Sequence, residues 1–196
     1  MWIRGLKLLQ RTALAALVLS VPAWAAAAES AAAPADAQPA VWAKKELTFV
    51  FLGFTSHYSC DGLRDKIHHA LTELGARSDF QLTFSGCSSP YGRPDPFPGV
   101  HITMHVLQPA GADDKSAEVV GTHWRRVDLH LDKDPVWEGE DCELVEQIKQ
   151  KILPLFATRN VDFGSNCVPH QGFLGTHLSA DLLFPDRKDD KTIAAK

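Results

Sequence analysis

HITMHVLQP, residues 101–109, and HLSADLLFP, residues 177–185, decide how this chain is read. In the first, Ile102, Met104 and Val106 alternate with His101, Thr103 and His105. In the second, Leu178, Ala180 and Leu182 alternate with His177, Ser179 and Asp181. A period of two is that of a strand with one apolar and one polar face. The same strand has been written twice.

The likeness extends outward from both copies. FPGVHITMHVLQP from Phe97 matches FLGTHLSADLLFP from Phe173, and WAKKELTFVFLG from Trp42 aligns without a gap to WRRVDLHLDKDP from Trp124. The latter offset also brings Ser59-Cys60 onto Asp141-Cys142. ARSDFQLTFSGC from Ala76 and ATRNVDFGSNC from Ala157 then set Cys87 against Cys167. Four matches in one order, two of them anchored by cysteine, predict an internal duplication.

Each copy parses as β-α-β-β. Leu47, Phe49 and Phe51, and in the other copy Val127, Leu129 and Leu131, open with a strand. Ser59 and Asp141 are favoured N-cap residues. Behind them Leu63, Ile67, Ala70, Leu71 and Leu74 share one helical face, as do Leu144, Val145, Ile148, Ile152 and Phe156. Pro154 should kink or end the second helix. Phe80, Leu82 and Phe84, and Val161 with Phe163, mark a second strand, and the repeated strings supply the third. The expected class is α+β in two layers, with a mixed or antiparallel sheet and the helices on one face.

The cysteines fit this layout. A helix of about 15 residues descends roughly 22 Å, and a returning strand of about 8 residues climbs roughly 26 Å. The strand ends level with the helix start, which predicts Cys60–Cys87 and Cys142–Cys167. A reactive Cys60 thiol assisted by His57 is the opposing reading, and Cys142 occupies the same place with no such histidine.

The 196 residues divide as follows. Residues 1–25 carry Arg4, Lys7 and Arg11, an apolar run and the small residues around Ala25, the layout of a signal peptide. Residues 26–40 are an Ala/Pro-rich leader with too little apolar surface to order itself. Residues 41–110 are the first unit, 111–123 a linker, 124–185 the second unit and 186–196 a charged tail. The apolar run falls short of the about 20 residues a membrane span needs, so after cleavage no transmembrane anchor is expected. Four cysteines in an exported chain imply disulfides and a periplasmic or secreted location. The net charge is −4, and removing the three leader cations makes it about −7. An acidic chain lacks the basic patch that nucleic acid requires.

Candidate sites are few. His101, His105, His130, His177 and Asp181 fall on the polar side of their strands. Their chemistry suits Zn²⁺ or Cu²⁺, although His101 and His105, roughly 13 Å apart along an extended strand, need partners from neighbouring strands. A solvated sheet face is the plainer reading. His68-His69 lies off the apolar helical face and is expected in solvent. The Pro-rich loop SSPYGRPDPFPG presents Tyr91 and Phe97 as a partner surface for a protein or envelope component. No GxSxG, Walker A or dinucleotide glycine pattern is present. The expected function is therefore a non-enzymatic, exported binding or envelope-associated domain. Transition-metal binding at the histidine face is the first alternative, and a small hydrolase of unrecognised site the second. N-terminal sequencing of the exported protein should begin just after Ala25; a mature chain starting at Met1 would refute export by this signal.

Overall fold

The computed structural model describes residues 37–54, 56–87, 94–111, 118–131, 133–168 and 175–186. Six strands and two helices follow one another as β1 (Ala37–Val50), α1 (Cys60–Glu73), β2 (Gln81–Ser85), β3 (Gly99–Pro109), β4 (Val119–His130), α2 (Cys142–Gln147), β5 (Thr158–Gly164) and β6 (His177–Pro185). The strands form one sheet in the order β2-β3-β1-β4-β6-β5, and its five ladders are antiparallel. In each half the helix crosses over a strand that is itself inserted between the two it connects, a split β-α-β arrangement.

The alternating residues explain where the core lies. Ile102, Met104 and Val106 are fully buried and Leu178, Ala180 and Leu182 nearly so. They meet Leu63, Ile67, Ala70 and Leu71 of α1, and Leu144 and Val145 of α2, in one continuous cluster. Each fully buried aliphatic side chain contributes about 1.5–3 kcal/mol relative to exposure. Ser59 caps α1 by accepting a hydrogen bond from the Gly62 N–H. At the other end Gly75 takes φ +82°, the left-handed turn that closes a helix. A Cβ there would also stand 2.8 Å from the Phe184 ring. Beyond α2 the chain widens into a π turn, Ile148–Ile152, then tightens into a 3₁₀ turn, Leu153–Leu155. Pro154 has no N–H to continue the ladder, and the helix ends there.

The two halves share one register. Trp42 lies opposite Leu107, and Trp124 opposite Leu183; Leu47 faces Ile102, and Leu129 faces Leu178; Thr48 faces His101, and His130 faces His177. The halves join through β1 and β4, with Pro39 opposite Gly121 at the centre of the ladder. The Pro39 carbonyl accepts from the Ala110 N–H, and the Gly121 carbonyl accepts from the Asp186 N–H.

Several expectations need correction. The leader drawn at 26–40 gives its last four residues to β1, and the linker drawn at 111–123 gives 119–123 to β4. These segments pair with each other, and Ala40, too small to mark a core from sequence, is completely buried. Asp141 does not cap α2 with its side chain; its carboxylate is used elsewhere, as described below. Nor is the face opposite the helices polar throughout. Ala40, Leu107, Val120 and Leu183 form a second buried cluster there, edged by Trp42 and Trp124. The guanidinium of Arg77 lies 5.6 Å from the Trp42 ring centroid, and that of Arg159 lies 4.6 Å from that of Trp124.

Both expected disulfides are present, Cys60–Cys87 with its Cα atoms 6.1 Å apart and Cys142–Cys167 at 5.7 Å. No cysteine is free, which removes the reactive-thiol reading of Cys60. Each bond ties a helix start to the chain leaving the next strand. The sequence separations of 27 and 25 residues place each bond's stabilisation at about 3 kcal/mol in the chain-entropy description. The paired substitution Cys60→Ser/Cys87→Ser should therefore lower the melting temperature by roughly 10 °C. Calorimetry showing no change, or peptide mapping that joins Cys60 to Cys142 or Cys167, would contradict the assignment.

Candidate functional site

The histidine face separates into local partnerships. His101 Nδ1 lies 3.1 Å from Thr48 Oγ1 across the β1–β3 ladder. His105 Nδ1 accepts from Arg77 Nη2 at 2.8 Å and stands 3.4 Å from Asp79. Asp79 is itself bound by Arg77 at 2.6 Å, and that hydrogen bond holds its carboxyl below the usual carboxylate range. Asp181 accepts from Asn160 Nδ2 at 2.7 Å and is also paired with Arg159 and Arg126. The Asn160 amide first, then the two guanidinium groups, hold its carboxyl low. Of the five residues, only His130 and His177 are brought together, their rings stacked with centroids 5.5 Å apart. His177 Nε2 also lies 3.5 Å from Asp162. The strand order explains this: β1 and β4 stand between β3 and β6, a separation of roughly 14 Å at ordinary strand spacing. Among the described residues no group of three or more His, Cys, Asp or Glu is arranged to hold a metal ion. His68 is exposed, as expected, with its ring edge-on to Phe80, whereas His69 is half-buried and its Nε2 lies 2.6 Å from Asp134.

A different site forms where β1 runs toward α1. The second half braces this segment. Gln147 reads Leu52 on both sides, its Oε1 accepting from the Leu52 N–H at 3.2 Å and its Nε2 donating to the Leu52 carbonyl at 2.7 Å. Glu143 Oε2 accepts from the Phe54 N–H at 2.7 Å. Lys151 Nζ donates to the Val50 carbonyl at 3.0 Å, and burial pulls its ammonium below the ordinary lysine range. Residues 143, 147 and 151 are four apart and so lie along one side of the helical segment.

Beyond the brace, Phe51 and Tyr58 meet edge to face, with centroids 4.8 Å apart and planes at 81°. The Tyr58 hydroxyl donates to Asp141, whose buried carboxylate also takes Lys66 Nζ at 2.6 Å and the Glu138 N–H at 2.7 Å. Burial first, then the Asp141 charge, pushes the Tyr58 phenol far above its ordinary range, so it remains a neutral donor. The loop before β3 closes the other side. The Asp95 N–H donates to the Tyr58 carbonyl, and the Phe51 N–H donates to the Pro98 carbonyl, both at 3.0 Å. Asp95 Oδ1 in turn accepts from the Phe97 N–H at 3.1 Å.

The result is a cavity of about 290 Å³ lined by Phe51, Phe54, Tyr58 and Phe97, with Ser56 and Asp95 among its polar walls. Phe54 is 68% exposed and Phe97 is 60% exposed, and both stand at the rim. Ser56 Oγ is buried beside the Tyr58 hydroxyl without a hydrogen bond of good geometry. Aromatic walls with a few fixed polar groups are the make-up of a small-ligand pocket.

Phe97, singled out from sequence as a partner-surface residue, is at this rim; Tyr91 lies outside the described residues. Phe54, Ser56 and Asp95 were missed. The available signal was the pair of aromatic loops, FLGF and DPFPG, on chain segments adjoining the first disulfide. Gly53 is the tightest point of the construction, because a Cβ there would meet the Phe51 ring and lie 2.5 Å from Glu143 Oε2. Gly53→Ala should displace one of them and cost about 1–3 kcal/mol. Urea unfolding with unchanged stability would show that the segment yields freely.

Compared with protein-family models, curated proteins and solved structures, the chain matches none.

Proposed function

We propose that this protein is an exported, non-enzymatic binding domain of the periplasm or extracellular space, built from two duplicated β-α-β-β units, whose ligand or partner seats in the aromatic cleft. The observation that carries the reading is the cleft itself: two exposed phenylalanines at the rim, with buried aromatic rings and a buried serine hydroxyl in the lining. Packing alone would favour closing such a hollow. Export is supported by the two disulfides and the leader, since such bonds persist in oxidising compartments. Duplication is supported by the common register of the two halves. A second reading, transition-metal binding, is favoured by the stacked His130–His177 pair beside Asp162. Imidazole nitrogens suit Zn²⁺ and Cu²⁺.

One set of amide-resolved NMR titrations separates the two. Phenol and indole, as neutral aromatic probes, should shift the Gly53, Phe54 and Phe97 amides and saturate. Zn²⁺ should leave them in place. Cleft amides unmoved by either aromatic probe would overturn the binding-cleft reading. Saturable Zn²⁺ shifts around His130 and His177, abolished by His177→Ala, would establish the second reading.

A further inference from the structure

We propose that the cleft recognises an organic cation, in chemical terms a methylated ammonium group on a short polar tail; this inference rests on the cleft being a binding site. Four aromatic side chains line one small cavity. The faces of such rings carry negative potential and attract a cation within about 6 Å of the ring centre. Phe51 and Tyr58 form the floor, packed edge to face with centroids 4.8 Å apart and both buried. Phe54 and Phe97 supply further walls from two separate loops.

Charge points the same way. The described lining residues include Asp95 and His57 and contain no lysine or arginine. Glu143 lies directly behind Gly53, holding the Phe54 N–H. Within the same chain the rings on the opposite sheet face are already occupied, Trp42 by Arg77 and Trp124 by Arg159. The cleft rings Phe54 and Phe97 have no such guanidinium among the described contacts and keep most of their surface exposed. A bare metal ion or a primary ammonium holds its water strongly, and aromatic walls cannot replace that hydration. A quaternary ammonium is weakly hydrated and loses little on entering. The tail then accounts for Ser56. Its buried hydroxyl can donate to a carboxylate or ether oxygen, or accept from a hydroxyl.

The test compares choline with its uncharged isostere 3,3-dimethyl-1-butanol, titrated into the intact mature protein and followed by amide shifts. Choline should saturate the Gly53, Phe54 and Phe97 signals with an affinity at least about fivefold tighter than the isostere. Phe97→Ala and Phe54→Ala, both at exposed positions, should each weaken choline by about fivefold and the isostere by less. Equal or tighter binding of the isostere would overturn the cation assignment. So would unmoved signals with choline. If phenol or indole still shifts the same amides, the cleft remains a binding site for neutral rings and only the cation assignment fails. If no probe shifts them, both fail together.

Discussion

Five residue pairs between β1 and β4 hold the two halves in one sheet, and the rest of the architecture depends on that short seam. Its midpoint joins a proline to a glycine, residues normally unwelcome inside a sheet. The geometry makes them harmless. In an antiparallel strand the N–H and C=O of one residue point to the same side. The Pro39 carbonyl is turned toward β3, where it takes Ala110, so its missing N–H removes nothing from the β1–β4 ladder. Gly121 turns its carbonyl toward β6 in the same way. The seam is short in hydrogen bonds, and the helix-side core and the Trp-edged cluster on the opposite face add apolar contact around it.

Polar ties between the halves complete the joint. Asp141, at the start of α2, is almost wholly buried and is satisfied by Tyr58 and Lys66 from the first half and by the Glu138 N–H from its own. A buried carboxylate is tolerable only with such partners, and removing one partner of a buried pair is far more damaging than the pair's net worth suggests. The aromatic cleft is built on this arrangement, since Tyr58 contributes both a wall of the cavity and the bond to Asp141. Site and interface are therefore one construction. The Gln147 and Glu143 contacts make the same connection from α2 to the other wall.

What could be read from the sequence was what local pattern dictates. The faces of residues 101–109 and 177–185, the apolar sides of both helices and the cysteine pairing all follow from period and element length. The start of β1 did not, because AQPA reads as leader and Pro39 argues against a strand unless the direction of its carbonyl is known. Asp141 read as a helix cap because a cap and a buried bridge share the same local sequence. Trp42 and Trp124 served as alignment anchors, yet their packing on the second face depends on β1 and β4 being neighbours. The histidines alternate with the buried side chains of their strands, and strand order decided that His130 and His177 would meet. The cleft was hardest to see. Its walls come from two loops of the first half, one of them braced by a helix of the other half through contacts between residues as far apart as Leu52 and Gln147.

Each helix braces the other half's loop. Just as α2 holds residues 50–54, α1 holds the segment leading to α2, with Lys66 donating to the Val136 carbonyl and His69 meeting Asp134. The two braced loops finish differently. In the second, Trp137 turns inward, 3% exposed, and packs beside Lys66 and His69. In the first, Phe54 stays outside and a cavity remains. Trp137 belongs to the core, so its loop cannot be reshaped without disturbing the packing beneath it. Phe54 lies outside the core, and the rim of its loop is free to change while the frame beneath stays fixed.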